Sequence, residues 1–113
     1  MAKKTDQRIK TFQDSHLPRL IESYNPDHVL VFGSCARGTA LKESDLDLLI
    51  VSRSFEGIPF VERAQQVIWA MRSYLSVEVL CYTPDEYERK RKEIGVVKIA
   101  SQEGIDLMAE RQP

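Results

Sequence analysis

Asp45 and Asp47 stand one leucine apart at the head of the apolar run LDLLIVS, and ten residues separate them from a Gly33-Ser34 pair that closes an earlier run, HVLVF. Side chains alternate along a strand, so acids at i and i+2 share a face. Left alone, two such carboxylates raise one another's pKa and weaken the fold, whereas a divalent cation turns their repulsion into coordination by hard oxygen donors. For an isolated D-x-D, the competing reading is a solvated strand edge or a turn cap, since the preceding Glu43-Ser44 is polar. The Gly-Ser pair weighs against it. A strand that ends in Gly-Ser before a turn of helix offers backbone N–H groups and a hydroxyl to a phosphate, and glycine lets that phosphate approach the chain. An anion cradle beside metal-binding acids is the equipment of nucleoside triphosphate chemistry. The pattern G-S-x10-D-x-D arises by chance in on the order of one in a thousand chains of this length. A P-loop is disfavoured: GSCARGT has the G-x-x-x-x-G spacing, but Thr39 occupies the position of the lysine that must reach the terminal phosphates.

These residues need a sheet to position them, and the chain supplies one. HVLVF and LDLLIVS read as buried strands, and SVEVLCYT as a third, with Val77, Val79 and Cys81 on one face and Glu78, Leu80 and Tyr82 on the other. Residues 6–23 carry helical spacing in Ile9, Phe12, Leu17, Leu20 and Ile21, with Pro18 kinking the helix or opening a second one, before a break at Asn25-Pro26-Asp27. From Cys35 to Ser44 there is room for little more than a turn of helix. Pro59 suits the first position of an amphipathic helix whose sheet-facing side is Val61, Ala64, Ile68, Met71 and Leu75, and there Trp69 and Met71 read as core or as partner contacts. Thr83, Pro84 and Glu86 have the spacing of an N-cap, a first helical residue and a capping box, and a last helix near Val96–Glu103 is expected to stop at Gly104.

With 113 residues, 42% hydrophobic and 29% charged, the chain is expected to form one domain over residues 1–113. Sixteen basic against seventeen acidic residues give a formal charge of −1, which disfavours a dedicated nucleic-acid binder. The mixed-sign run at 88–93 reads as a solvated helix face, and the four tyrosines form no base-stacking series. No apolar run approaches the ~20 residues of a membrane span, and the basic N-terminus has no apolar segment behind it, so no membrane partner and a cytoplasmic location are expected. Cys35 and Cys81 lack C-x-x-C spacing and read as free thiols, and His16 and His28 have no ligand spacing.

The stretch VFGSCARGTALKESDLDLLIV resembles the minimal nucleotidyltransferases of the DNA polymerase beta-like superfamily, whose signature is G-S-x10-D-x-D, and the tail TPDEYERKRKEIGVVKIASQEGI is also similar to that family. The resemblance spans roughly residue 28 to the end. It implies an α/β (α+β) nucleotidyltransferase fold, a small mixed sheet of three or four strands with helices packed against it. It implies ATP as substrate, with its phosphate tail on Gly33 and Ser34, and two Mg²⁺ ions held by Asp45 and Asp47 with a third acid on a later strand. Glu78 is the candidate for that acid. Aspartate is commoner there and glutamate is one methylene longer, so a partly exposed strand acid stays open as the alternative. Arg37 is a phosphate contact or a solvent-facing side chain. Stand-alone members are similar to the antitoxin half of toxin-antitoxin pairs whose other half is a helical HEPN-type protein. This implies AMPylation of a partner tyrosine, with Asp45, Asp47 and Glu78 as the catalytic residues. The alternative is a catalytically weak nucleotide-binding module that neutralises its partner by complex formation, and antibiotic adenylylation is a third possibility. A homo-oligomer is left open.

Overall fold

In the computed structural model, which describes residues 6–72 and 74–109, four strands form one mixed sheet in the order β3-β2-β1-β4. They are β1 (His28–Phe32), β2 (Leu46–Val51), β3 (Val77–Tyr82) and β4 (Ile105–Asp106). β1 runs antiparallel to both β2 and β4, and β2 is parallel to β3, which α4 (Phe60–Met71) makes possible by carrying the chain across. The expected α/β fold with its mixed sheet is the fold observed, at four strands.

Strand alternation splits the core in two. Val29, Val31, Leu46, Leu48, Ile50, Val79 and Cys81 face α1 (Gln7–Ser15), α2 (Leu17–Tyr24) and α4, where Ile9, Phe12, Leu17, Leu20, Val67 and Met71 meet them. The opposite residues Leu30, Leu49, Val51 and Tyr82 pack under α5 (Pro84–Lys90) and α6 (Val96–Glu103) through Tyr87, Val97 and Ala100. A second helix does begin here, but at Leu17, so Pro18 is its second residue and not the expected first, and α2 is capped by Asn25 in the left-handed region. Thr83 and Glu86 form the expected capping box on α5, and Gly104 ends α6. Both cysteines are free and buried.

The α4 expectations need correcting. Pro59 is the N-cap and Phe60 the first helical residue, while Leu75 lies beyond the helix end at Met71. The buried side is Arg63, Val67 and Met71, with Ala64 partly buried, whereas Val61 and Ile68 are exposed and Trp69 is 84% exposed. Periodicity misassigned this face because an arginine lies inside it. Arg63 is 5% exposed, donates from Nε to the Ile58 carbonyl and from Nη1 to that of Cys81, and forms a two-pronged pair with Glu86 at 2.6 and 3.3 Å. That pairing removes the penalty of burying the charge alone. Among the described residues no helix is long and apolar enough to cross a membrane. The N-terminal expectation for residues 1–5 lies outside the described residues.

Candidate active site

The register aligns Phe32 of β1 with Asp47 of β2, and Asp47 with Glu78 of β3, so both acids stand side by side at the same end of the sheet. They occupy the face that α5 and α6 cover further along, where Leu49 and Tyr82 are buried. At the acidic end the face is open. Asp47 and Glu78 border a cavity of about 540 Å³, walled also by Phe32, Leu80, Ile68 of α4 and Val96 of α6.

Gly33 begins α3 (Gly33–Arg37), the short helix that follows β1 directly. Its φ is +73°, and a Cβ at this position would run into the Asp47 carboxylate oxygen. Glycine is therefore required twice over, once by the left-handed backbone and once by the approach of the acid. Ser34 follows in the first turn of α3, which ends at Gly38, also left-handed at φ +78°. The Gly-Ser element and the second acid of the D-x-D pair are thus in contact, although ten residues separate the two motifs.

Asp45 is placed differently. It precedes β2 by one residue, and its carboxylate accepts the hydroxyl of Ser76, while the Ser76 carbonyl accepts the Leu46 N–H at 3.0 Å. Among the described residues no three His, Cys, Asp or Glu side chains converge closely enough to hold a metal ion. Asp47 and Glu78 are brought together, and Asp45 is near enough to repel Asp47 but is turned to Ser76. Glu78 is exposed, so its place in an apolar strand does not mean a buried acid. Arg37, half exposed, lies 3.6 Å from Glu103 and also lowers the pKa of Asp47.

Crowding shows in the titration of Asp47. Partial burial, a hydrogen bond with Glu78, and the charges of Glu78 and Asp45 push its carboxyl from 3.8 to about 6, against the pull of Arg37. Two carboxylates this close cannot both be charged at low cost.

Residues outside the motifs hold the site in place. Arg8 of α1 donates to the carbonyls of Leu41 and Lys42 at 2.6 and 3.1 Å, and to the Cys35 sulfur at 3.3 Å. Cys35 in turn points its thiol at the Asp45 carbonyl, 3.7 Å away, and burial raises that thiol's pKa, which suits packing rather than reactivity. Neither Arg8 nor Ser76 carries a local pattern that would single it out in the sequence.

Residues 14–107 match the nucleotidyltransferase domain family. The chain belongs to that family. No curated protein matches the sequence significantly. Among solved structures, a Sulfolobus solfataricus protein assigned to the nucleotidyltransferases, at 1.40 Å resolution, aligns with a TM-score of 0.63 and 20% identity, covering 90% of this chain and 81% of its own. A toxin-antitoxin structure with AMP-PNP aligns at 0.51 and 19% identity over 84% of this chain and 71% of that one. At these identities the likeness establishes the nucleotidyltransferase fold. BolA1 from Arabidopsis thaliana aligns at 0.48 and bears no weight.

Proposed function

We propose that this protein is a cytoplasmic, single-domain nucleotidyltransferase that moves AMP from ATP to a tyrosine hydroxyl of a helical HEPN-type partner, as the antitoxin of a toxin-antitoxin pair. The observation that carries the reading is the contact between Gly33 and the Asp47 carboxylate, with Glu78 alongside. Family membership supports nucleotidyl transfer, and the likeness to a toxin-antitoxin structure with AMP-PNP supports the choice of setting and nucleotide.

In this reading the N–H groups and hydroxyl at Gly33 and Ser34 receive the phosphate tail, with Arg37 as a further phosphate contact. Asp45, Asp47 and Glu78 are the residues that would hold Mg²⁺. Their donor chemistry fits, since all are hard oxygens and a cation would relieve the repulsion that helps raise the pKa of Asp47. When bound, Mg²⁺ supplies charge neutralisation at the departing pyrophosphate and a lowered pKa for the acceptor hydroxyl. In this reading Glu78 or Asp47 takes the acceptor's proton, and both border the cavity that Phe32 and Leu80 also line.

A second reading is favoured by one observation: Asp45 is held by Ser76 and the three acids do not converge. A module that binds nucleotide without transferring it would neutralise its partner by complex formation alone. Incubation with α-labelled ATP, Mg²⁺ and the co-purified partner separates the two. Transfer of one AMP mass to a partner tyrosine by wild type, abolished in Asp45→Asn/Asp47→Asn, supports the enzyme. Equal label with both proteins refutes the site, and a stable unmodified complex supports the binding module.

A further inference from the structure

Asp45 and Ser76 are neighbours across two parallel strands. The β2–β3 register pairs Asp47 with Glu78 and Leu46 with Val77, and the Leu46 N–H donates to the Ser76 carbonyl at 3.0 Å, so the ladder reaches one step further, to Asp45 and Ser76. By strand alternation Ser76 stands to Asp45 as Glu78 stands to Asp47, two adjacent pairs on one face. The Ser76 hydroxyl donates to Asp45 Oδ1, and a hydrogen bond likewise joins Asp47 and Glu78. Asp45 is held differently in its backbone and in its side chain. The turn before it is closed by the Ser44 N–H on the Leu41 carbonyl at 3.1 Å and by the Leu41 N–H on Ser44 Oγ at 2.9 Å. Arg8 ties down the carbonyls of Leu41 and Lys42, and the Cys35 thiol points at the Asp45 carbonyl. The carboxylate, by contrast, has one hydrogen-bond partner among the described residues, the exposed Ser76, and that bond leaves Oδ2 free.

We propose that Ser76 is a positioning residue of this site: its hydroxyl keeps the Asp45 carboxylate on the side of Asp47 and Glu78, with Oδ2 available to a divalent cation that the acids share. The inference rests on the reading that these three acids hold Mg²⁺, and it adds a residue that is not itself a ligand. The charges of Asp45 and Asp47 repel each other, so an untethered carboxylate at this half-buried strand end swings toward water and away from the other two. One hydrogen bond opposes that motion. A hydroxyl suits the role because it restrains the acid without adding a charge that competes with the cation. Hydrogen-bonded neighbours of metal-binding carboxylates contribute about ten- to a hundredfold to metal affinity, which sets the size of the expected effect.

Mn²⁺ is the probe, followed by the electron paramagnetic resonance signal of the free ion at pH 8 with no nucleotide present, so that transfer plays no part in the readout. Ser76→Ala is expected to bind Mn²⁺ about tenfold more weakly than wild type, and Ser76→Thr, which keeps the hydroxyl, within about twofold of it. Asp45→Asn is expected to weaken binding as well, and Ser76→Ala added to it to cost nothing further, since the serine acts through that acid. Far-UV circular dichroism of both Ser76 variants is expected to match wild type, because the Ser76 carbonyl that accepts from Leu46 is retained. A Ser76→Ala variant that binds Mn²⁺ as tightly as wild type, or more tightly, overturns the inference and leaves the metal site standing. A loss of the same size in the Asp45→Asn background, or no recovery in Ser76→Thr, overturns it too. A wild type that takes up no Mn²⁺ removes the metal site itself, and the inference with it.

Discussion

Replacing Asp47 with asparagine is expected to make the protein more stable, and only above acidic pH. In the native state the Asp47–Glu78 pair keeps its proton up to about pH 6, whereas an unfolded aspartate releases it near 3.8. The folded chain therefore binds more protons than the unfolded chain between these values, and stability falls as the pH rises through that window. The stabilisation is fully present below 3.8 and has been lost above 6. Taken whole, the shift of two or so units corresponds to about 3 kcal/mol, and water reaching this half-exposed site screens it to about 1–2 kcal/mol. Asparagine keeps the size and a hydrogen bond to Glu78 without the second charge. Thermal unfolding at pH 8 should place Asp47→Asn about 4–8 °C above wild type, and at pH 4 the two should melt together. Mg²⁺ at pH 8 should raise the wild-type midpoint and leave that of the variant nearly unchanged. An asparagine variant that melts at or below wild type at pH 8, or gains equally at both pH values, would falsify the crowded-pair account.

Three further outcomes follow from other parts of the fold. Gly33→Ala should displace the Asp47 carboxylate and abolish ATP binding by calorimetry, at a stability cost of only about 1–2 kcal/mol from the left-handed backbone, because the colliding atom is a side-chain tip. Arg63→Ala strands Glu86 and two carbonyls, and is expected to cost about 2–4 kcal/mol in urea unfolding; Arg63→Met with Glu86→Gln, which keeps an acceptor for the Thr83 N–H of the capping box, should recover much of that loss, and no recovery would mean the pair is not the reason. His16 is 1% exposed, neither ring nitrogen has a hydrogen-bond partner among the described residues, and burial followed by the charge of Arg19 holds its pKa below the ordinary 6.5. The unfolded chain thus takes up a proton there first, stability declines as the pH drops below about 6.5, and His16→Phe should flatten that decline in melts from pH 7.5 to 5.

How much of the site was legible from spacing alone depends on the residue. Gly33 and the D-x-D pair declared themselves because strand alternation and the needs of a phosphate restrict which residues can stand there. Glu78 was legible as a member of the Leu80–Tyr82 face, and it does share that face with Asp47. Ser76 and Arg8 were not, since each acts on a residue at least thirty positions away, and nothing nearby in the chain records the partner. The α4 face was misassigned for the same reason: a buried arginine is acceptable only when a distant glutamate meets it, so apolar periodicity counted Arg63 as outside and Ile68 as inside.

What the sequence by itself determined are the local features: the three long strands, the capping box at Thr83, the helix start within one residue of Pro18 and the stop at Gly104. Each depends on a few neighbouring residues and on backbone sterics that act within a turn or a strand. Only the tertiary structure decided that Gly33 presses on Asp47 rather than Asp45, that Asp45 turns to Ser76, and that Trp69 faces outward. Those outcomes depend on sheet register and on which helix packs where. Register and packing are set by the burial of many residues at once, and no short stretch of sequence carries that sum.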